Sequence, residues 1–311
     1  MSFDIGPYRH LYPFESHWLD IGGHRYHYVD EGCGEPIVFV HGNPTWSFFF
    51  RSLISDLRSD YRVIAVDHIG CGLSDKPGDR DYDYTLRRRV DDLTALLDHL
   101  KLGDNVTLGL HDWGGMIGMA WALAHTEKTR RLVFFNTAAF FLPAGGRLPL
   151  RLSIIRNVSP LASLLVRGFN AISYMATRMA CVKRMSADVS AAYRGPYNSW
   201  ANRIATLRFV QDIPLRPSDP SYELARWVDD HLDQLRDVPT LICWGERDFV
   251  FDDRFLAEWR RRFPDAAIHL FPDAGHYVLE DSGDAIRPLV RAFLAQHPVS
   301  ESPRPRPDPV S

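Results

Sequence analysis

At 311 residues the chain can bury a large core, as one elaborated domain or two smaller ones. Its 45 % hydrophobic and 24 % charged residues are the proportions of a globular protein rather than of a disordered one. A formal net charge of −3 gives no general attraction to nucleic acid or anionic lipid, so the expected partner is a neutral or small ligand.

In chain order, the opening stretch MSFDIGPYRHLYPFESHWLD has no basic region leading into an apolar one, and no apolar run reaches the ~18 residues of a membrane span. A cytoplasmic enzyme or binding protein with no membrane span is expected. HWLDIGGHRYHYVDEG, with Gly22 and Gly23 at its turn, predicts an antiparallel hairpin. IVFVHG (37–42), RVIAVDHIG (62–70), NVTLGLHD (105–112), RRLVFFNTA (130–138), VPTLICWG (238–245) and AAIHLFPDAGH (266–276) predict strands. Several are near-continuous apolar runs, as strands covered on both faces should be. YTLRRRVDDLTALLDHLKL (84–102) and DDRFLAEWRRRF (252–263) space their apolar residues by three and four and predict helices. Strands alternating with helices imply the α/β class, with a mostly parallel central sheet and helices on both faces.

One segment breaks the rhythm. From about Phe140 to Trp227 no strand is predicted; helical stretches rich in Met, Phe, Tyr, Trp and Arg are broken by prolines from Pro143 to Pro220. Such an insertion lies over the strand ends, where open α/β sheets bind ligands. The domain reading is therefore a core over 1–137, a helical cap over 138–227, a second part of the core over 228–300, and a Pro-rich, disordered tail over 301–311.

Other features read blandly. Cys33, Cys71, Cys181 and Cys243 are too far apart for a C-x-x-C metal pair and read as small buried hydrophobes. The arginine runs at 87–89, 130–131 and 260–262 read as solvated helix faces. Asp79, Asp81 and Asp83 lack the Gly and Glu of a calcium loop and read as an exposed turn. Neither metal nor cofactor is expected.

In LHDWGG a strand ends, Asp112 is lifted onto a sharp turn, and Gly114 and Gly115 let a helix begin close by. This arrangement resembles the nucleophile elbow G-x-S-x-G, with Asp in place of Ser. An acid here could also be a simple N-cap for the helix from Trp113. Two later motifs favour chemistry. WGERD puts Asp248 just after a strand and DAGHYVLED puts His276 in the loop after the next, in the order nucleophile, acid, histidine. VHGNPTW places Asn43 where a backbone N–H would join that of Trp113 in an oxyanion hole. The Asn43 carboxamide and the Trp113 indole add two uncharged donors suited to an anionic leaving group, the alternative for Trp113 being a core aromatic. Ser needs a base to remove its proton, whereas Asp is anionic at neutral pH, with a reference pKa of about 3.9, and can attack an sp3 carbon directly.

HGNPTW, HDWGG, DHIGCGLSDKP, WGERD and GHYVLED together resemble the haloalkane dehalogenase branch of the α/β-hydrolases over about residues 20–298. The resemblance implies that Asp112 forms an alkyl ester, that Asn43 and Trp113 hold the released halide, and that His276, oriented by Asp248, activates water. Epoxide hydrolases also carry HDWGG but need cap tyrosines, for which Tyr174, Tyr193, Tyr197 and Tyr222 are available. The cap segments RRLVFFNTAAFFLP, GFNAIS and AAYRGPYNSWANRIATLRFVQDIPLRPSDPSY, with YDYTLRRRVDDL upstream, are similar to the β-lactone decarboxylases of bacterial long-chain olefin biosynthesis. That similarity implies conversion of a cis-3,4-dialkyl oxetan-2-one into a cis-alkene and CO2. Asp112 would attack either the ring carbon bearing oxygen or the ring carbonyl, with Asn43 and Trp113 holding the developing anion. It implies a hydrophobic small-molecule substrate, and the poor solubility of that substrate favours assembly with other olefin-biosynthesis enzymes. Phe140, Phe141, Phe169, Trp200 and Phe209 are candidates to line an alkyl tunnel or simply to pack the cap.

Overall fold

The computed structural model describes residues 3–299; the tail over 301–311, expected to be disordered, lies outside them. Eight strands form one sheet in the order β1-β2-β4-β3-β5-β6-β7-β8. They are β1 His17–Ile21, β2 His24–Glu31, β3 Pro36–Val40, β4 Arg62–Asp67, β5 Val106–Asp112, β6 Thr129–Thr137, β7 Thr240–Gly245 and β8 Ala267–Phe271. β1 and β2 pair antiparallel across a two-residue turn in which Gly22 and Gly23 both have positive φ, as such hairpins require. β2 pairs antiparallel with β4, and every later pairing is parallel.

The sheet is sealed on both faces, which is why its strands read as unbroken apolar runs. Val38, Val40, Leu108, Leu110, Phe134 and Ile242 point into one core, with Leu93 and Leu97 of α2 (Leu86–Leu100) and Ile117 of α3 (Trp113–Ala124). The alternate residues Ile37, Phe39, Val133, Phe135 and Leu241 point into the other. There they meet Leu53 and Leu57 of α1 (Arg51–Leu57) and Ile286, Val290 and Phe293 of the C-terminal helix, Val278–Gln296. Neither of these last two helices was predicted; their apolar positions are diluted by serine and by Pro288 inside the longer one.

Between β6 and β7 the described chain holds only helices: α4 Leu150–Asn157, α5 Ser159–Ser163, α6 Ala171–Met179, α7 Ala187–Arg194, α8 Ile204–Gln211 and α9 Tyr222–His231, joined by short 3-10 or π turns. After β7 come α10 Asp253–Arg262 and the C-terminal helix, α11. The inserted helices keep a small core of their own around Ile155, Val166, Ile172, Leu207 and Val210. Among the described residues no helix is long and apolar enough to cross a membrane.

Some expectations fail. The strand expected over 62–70 stops at Asp67, because Gly70 and Gly72 turn the chain with positive φ. Arg89 and Arg131 are buried rather than solvated: Arg89 pairs with Asp212 at 3.0 Å and Arg131 with Glu35 at 2.5 Å. Arg89 lies three residues after Leu86 and four before Leu93, on the apolar side of α2, so helical spacing alone marks it as inward. Cys71 and Cys243 are buried as expected, but Cys33 is exposed on a loop and Cys181 is half-buried.

Candidate active site

The parallel strands end in a row, and their final residues carry the polar groups. Asp112 closes β5 at φ 50°, ψ −125°, a backbone conformation that a residue with a side chain seldom adopts. It precedes α3 directly, yet its side chain caps no N–H of that helix, so the N-cap alternative does not hold. The turn is possible only because its neighbours lack side chains. A Cβ on Gly42 would lie 2.0 Å from Asp112 Oδ1, and one on Gly114 would lie 1.9 Å from the Val40 carbonyl oxygen.

The two oxygens of Asp112 meet different surroundings. Oδ1 accepts the Asn43 backbone N–H at 2.6 Å. Oδ2 stands 3.6 Å from Nε2 of His276. On the other side of the ring, His276 Nδ1 donates to Asp248 Oδ2 at 2.8 Å. Asp248 is itself held by backbone N–H groups of Val250 and Phe251 and by the side chain of Asn136. All three are buried. Asp112, Asp248 and His276, far apart in the sequence, thus form one contiguous row.

Their electrostatics follow from this sandwich. Burial opposes a charge on His276, but the carboxylates of Asp248 and Asp112 outweigh it and push its pKa up to about 10, which favours the imidazolium form. Burial likewise opposes ionisation of Asp112, yet the charge of His276, 3.6 Å away, and the Asn43 N–H together lower its pKa from the ordinary value. Beside them His111 is neutral, burial having lowered its pKa to about 3; its Nε2–H donates to the His276 carbonyl at 3.0 Å.

Asn43 and Trp113 also line the cavity into which Asp112 and His276 open. One N–H of the Asn43 carboxamide donates to the Thr206 carbonyl of α8 at 3.1 Å. The second N–H has no hydrogen-bond partner among the described residues. Trp113 is half-buried: it packs on Phe209 at 5.6 Å while one edge borders the cavity. Behind it lies the Arg89 guanidinium, 5.8 Å from the indole and 3.8 Å from the Phe209 ring.

The cavity has about 1280 Å³ of atom-free space, its mouth included. Apart from the groups just named and Tyr277, its walls are apolar, among them Met116, Phe140, Leu152, Ile172, Ile213 and Phe251. Of the aromatics proposed for a tunnel, Phe140 and Phe141 line it. Phe209 is packed behind Trp113, while Phe169 and Trp200 are exposed. None of Tyr174, Tyr193, Tyr197 and Tyr222 lines it: the Tyr193 hydroxyl donates to Glu280, that of Tyr197 to the Thr45 carbonyl, and the Tyr222 ring packs on Phe141. The four cap tyrosines named for epoxide opening therefore do not reach it. Among the described residues no group of three or more His, Cys, Asp or Glu side chains could hold a metal ion.

Sequence reading missed Asn136. Its amide donates to Asp248 Oδ2 at 2.9 Å and to the Gly245 carbonyl at 3.0 Å, and its oxygen accepts the Gly245 N–H at 2.8 Å, so it ties the end of β6 to β7 and to the acid. The signal was present: an amide at the end of the apolar run LVFFN, where an inward side chain must find polar partners.

Comparison with known proteins agrees with this geometry. Residues 35–282 match the family described as alpha/beta hydrolase fold. The chain is similar to a cis-3-alkyl-4-alkyloxetan-2-one decarboxylase of Shewanella oneidensis, at 53 % identity over 92 % of this chain and 90 % of that one. A protein of the same name from Xanthomonas campestris is 46 % identical over 93 % and 98 % of the two chains. Haloalkane dehalogenase 2 of Mycobacterium tuberculosis is 35 % identical over 92 % and 97 %. Among solved structures, the haloalkane dehalogenase DatA from Agrobacterium tumefaciens C58 superposes with a TM-score of 0.81 at 26 % identity, covering 91 % of this chain and 97 % of that one.

Proposed function

The chain belongs to the α/β-hydrolase family, and from that premise we propose that it converts cis-3,4-dialkyl β-lactones into long-chain cis-olefins and CO2, with Asp112 as nucleophile. One observation carries the choice of reaction. Identity to the two oxetanone decarboxylases, 53 % and 46 %, extends over more than nine tenths of the chain, helical insertion included, against 35 % for the dehalogenase. The apolar walls of the cavity support the same reading, because a dialkyl lactone needs room and dry surface for two hydrocarbon chains.

In the proposed reaction Oδ2 of Asp112 attacks the ring carbon bearing oxygen. That carbon–oxygen bond breaks, relieving the four-membered ring and leaving a carboxylate on the neighbouring carbon. Asn43 and Trp113 offer donors to this carboxylate. The bond to CO2 then breaks, its electron pair forms the alkene, and the ester bond to Asp112 breaks in the same step. Asp112 is regenerated as carboxylate with no water consumed and no proton moved. The first step inverts the attacked carbon, so a cis-lactone gives a cis-alkene only if CO2 and Asp112 depart from opposite faces. His276, protonated between its two carboxylates, orients Oδ2 and adds positive charge beside the reacting anions.

Haloalkane hydrolysis is the second reading, favoured by the likeness to DatA and by the same acid row. It asks more of His276, which must become neutral to activate water. Esterification of Asp112 removes one of the two carboxylates that raise its pKa and so moves it in that direction.

Residues 138–227 serve in this proposal as a cap over core segments 1–137 and 228–300. The proposed location is cytoplasmic, and the lactone's poor solubility favours handover within an assembly of olefin-biosynthesis enzymes. The test is to incubate the purified protein separately with a cis-dialkyl β-lactone and with a bromoalkane. Alkene and CO2 from the lactone are expected; rapid bromide release with the lactone left intact would overturn the proposal in favour of the dehalogenase.

A further inference from the structure

The inserted helices carry a charge that the composition of the whole chain hides. Between Glu127 and Asp188 there is no acidic side chain, yet seven arginines and lysines fall between Arg147 and Arg184. Among the described residues only one of the seven, Arg156, pairs with a carboxylate, that of Asp219. Others rest on neutral acceptors: Arg151 on the Met179 sulfur, Arg167 on the Trp200 carbonyl, Lys183 on the Asp281 carbonyl.

The insertion holds eleven of the fourteen large apolar or aromatic side chains that are exposed among the described residues, eight of them between Arg147 and Arg184, led by Leu150 at 76 % and Phe169 at 67 %. This surface continues into the cavity. Leu148, Pro149 and Leu152 line the cavity while Leu150 and Arg151, between them, face outward. Met175 lines it too, and Met179, one turn further along α6, is exposed against Arg151. Leu215 and Phe249 line the cavity and are themselves exposed, which marks its mouth.

We propose that the face from Arg147 to Arg184 docks on the surface of an anionic lipid bilayer, turning the mouth of the cavity toward the acyl region so that an apolar substrate enters from lipid. Cations interspersed with aliphatic side chains are the composition that settles into a headgroup layer, the charges meeting phosphates and the apolar groups passing below them. Charge favours lipid over protein as the occupant. A protein partner presents both signs, and the seven cations here meet a single paired carboxylate, Asp219, already taken by Arg156, whereas anionic lipids match a surface that is predominantly of one sign. The inference goes beyond the reaction proposed above and holds for either substrate class.

The test is co-sedimentation of the full chain with phosphatidylcholine vesicles and with vesicles of equal parts phosphatidylcholine and phosphatidylglycerol. Binding to the anionic vesicles only, lost at high salt, is expected. The combined substitutions Arg147→Gln, Arg151→Gln, Arg178→Gln and Arg184→Gln should weaken partitioning by about fivefold per arginine. Leu150→Ser with Met179→Ser should weaken it further, with turnover of a water-soluble short-chain substrate unchanged in both sets. A chain that stays in the supernatant, binds neutral vesicles equally well, or binds unchanged after the arginine substitutions overturns the proposal. So does a patch whose substitution alters only the oligomeric state or the retention of a purified pathway enzyme.

Discussion

The backbone N–H of Asn43 donates to Oδ1 of Asp112 across 69 positions of sequence, at 2.6 Å. The loop after β3 thereby fixes one oxygen of the acid at the end of β5, and the other, Oδ2, is left facing His276 and the cavity. As the proposed nucleophile, Asp112 with one oxygen restrained and one free would present a single attacking atom, which limits the orientations a bound substrate must sample.

Asp112→Asn keeps an oxygen able to accept from Asn43 but removes the negative charge. Turnover of lactone and bromoalkane should both fall by at least about a thousandfold, while the melting temperature changes little. Single-turnover kinetics with each substrate checks this, and retained turnover would remove Asp112 from its proposed role.

His276 supplies a pH signature. Its folded pKa is raised from 6.5 to about 10, so its contribution to stability is complete below pH 6.5 and is lost as pH rises through about 10. Urea midpoints measured across that window should fall for the wild type and stay flatter for His276→Gln. If the imidazolium is the working form, lactone turnover holds to about pH 10 and declines above it; a rise with pH through the same window would point to a base.

Gly42→Ala introduces a methyl group 2.0 Å from Asp112 Oδ1. The acid must rotate or the Asn43 loop must retreat, and kcat should drop by about a hundredfold for a displacement near 1 Å. Gly78→Ala, whose new methyl meets no atom closer than 3.7 Å, is the control and should leave kcat unchanged.

Arg89→Met would leave Asp212 as a buried carboxylate without its cation. The expected loss of stability is about 3–5 kcal/mol, read from denaturant unfolding. Combining it with Asp212→Asn should restore part of that loss, because the uncompensated charge disappears. Since Arg89 and Phe209 stand behind Trp113, the single variant should also raise KM.

The insertion shows where sequence reasoning stops. Its existence, its helical character and the absence of strands were legible, because prolines and the loss of β-branched runs are local features. Which of its aromatics reach the cavity was not, since Phe140 and Phe169 look alike in sequence and only the packing of helices from distant segments places one inside and the other in solvent. Arg89 lies between these cases: read as solvated, it is buried, an outcome its helical spacing from Leu86 and Leu93 could have signalled, but its partner Asp212, 123 positions away, could not be named.

What the sequence by itself determined is the alternation of strands and helices that makes a mostly parallel sheet, the elbow that lifts Asp112, and the positions of Asp248 and His276 in the loops after their strands. These depend on neighbours within a few residues, through the short apolar runs of covered strands, the helical spacing between them and glycine at the turn after Asp112. Only the tertiary structure decided that the two oxygens of Asp112 have different partners, that Asn136 holds Asp248, and that His276 is sandwiched between two carboxylates and so charged. Those properties come from burial and from distances between residues far apart in the chain, and neither exists until the sheet is sealed on both faces.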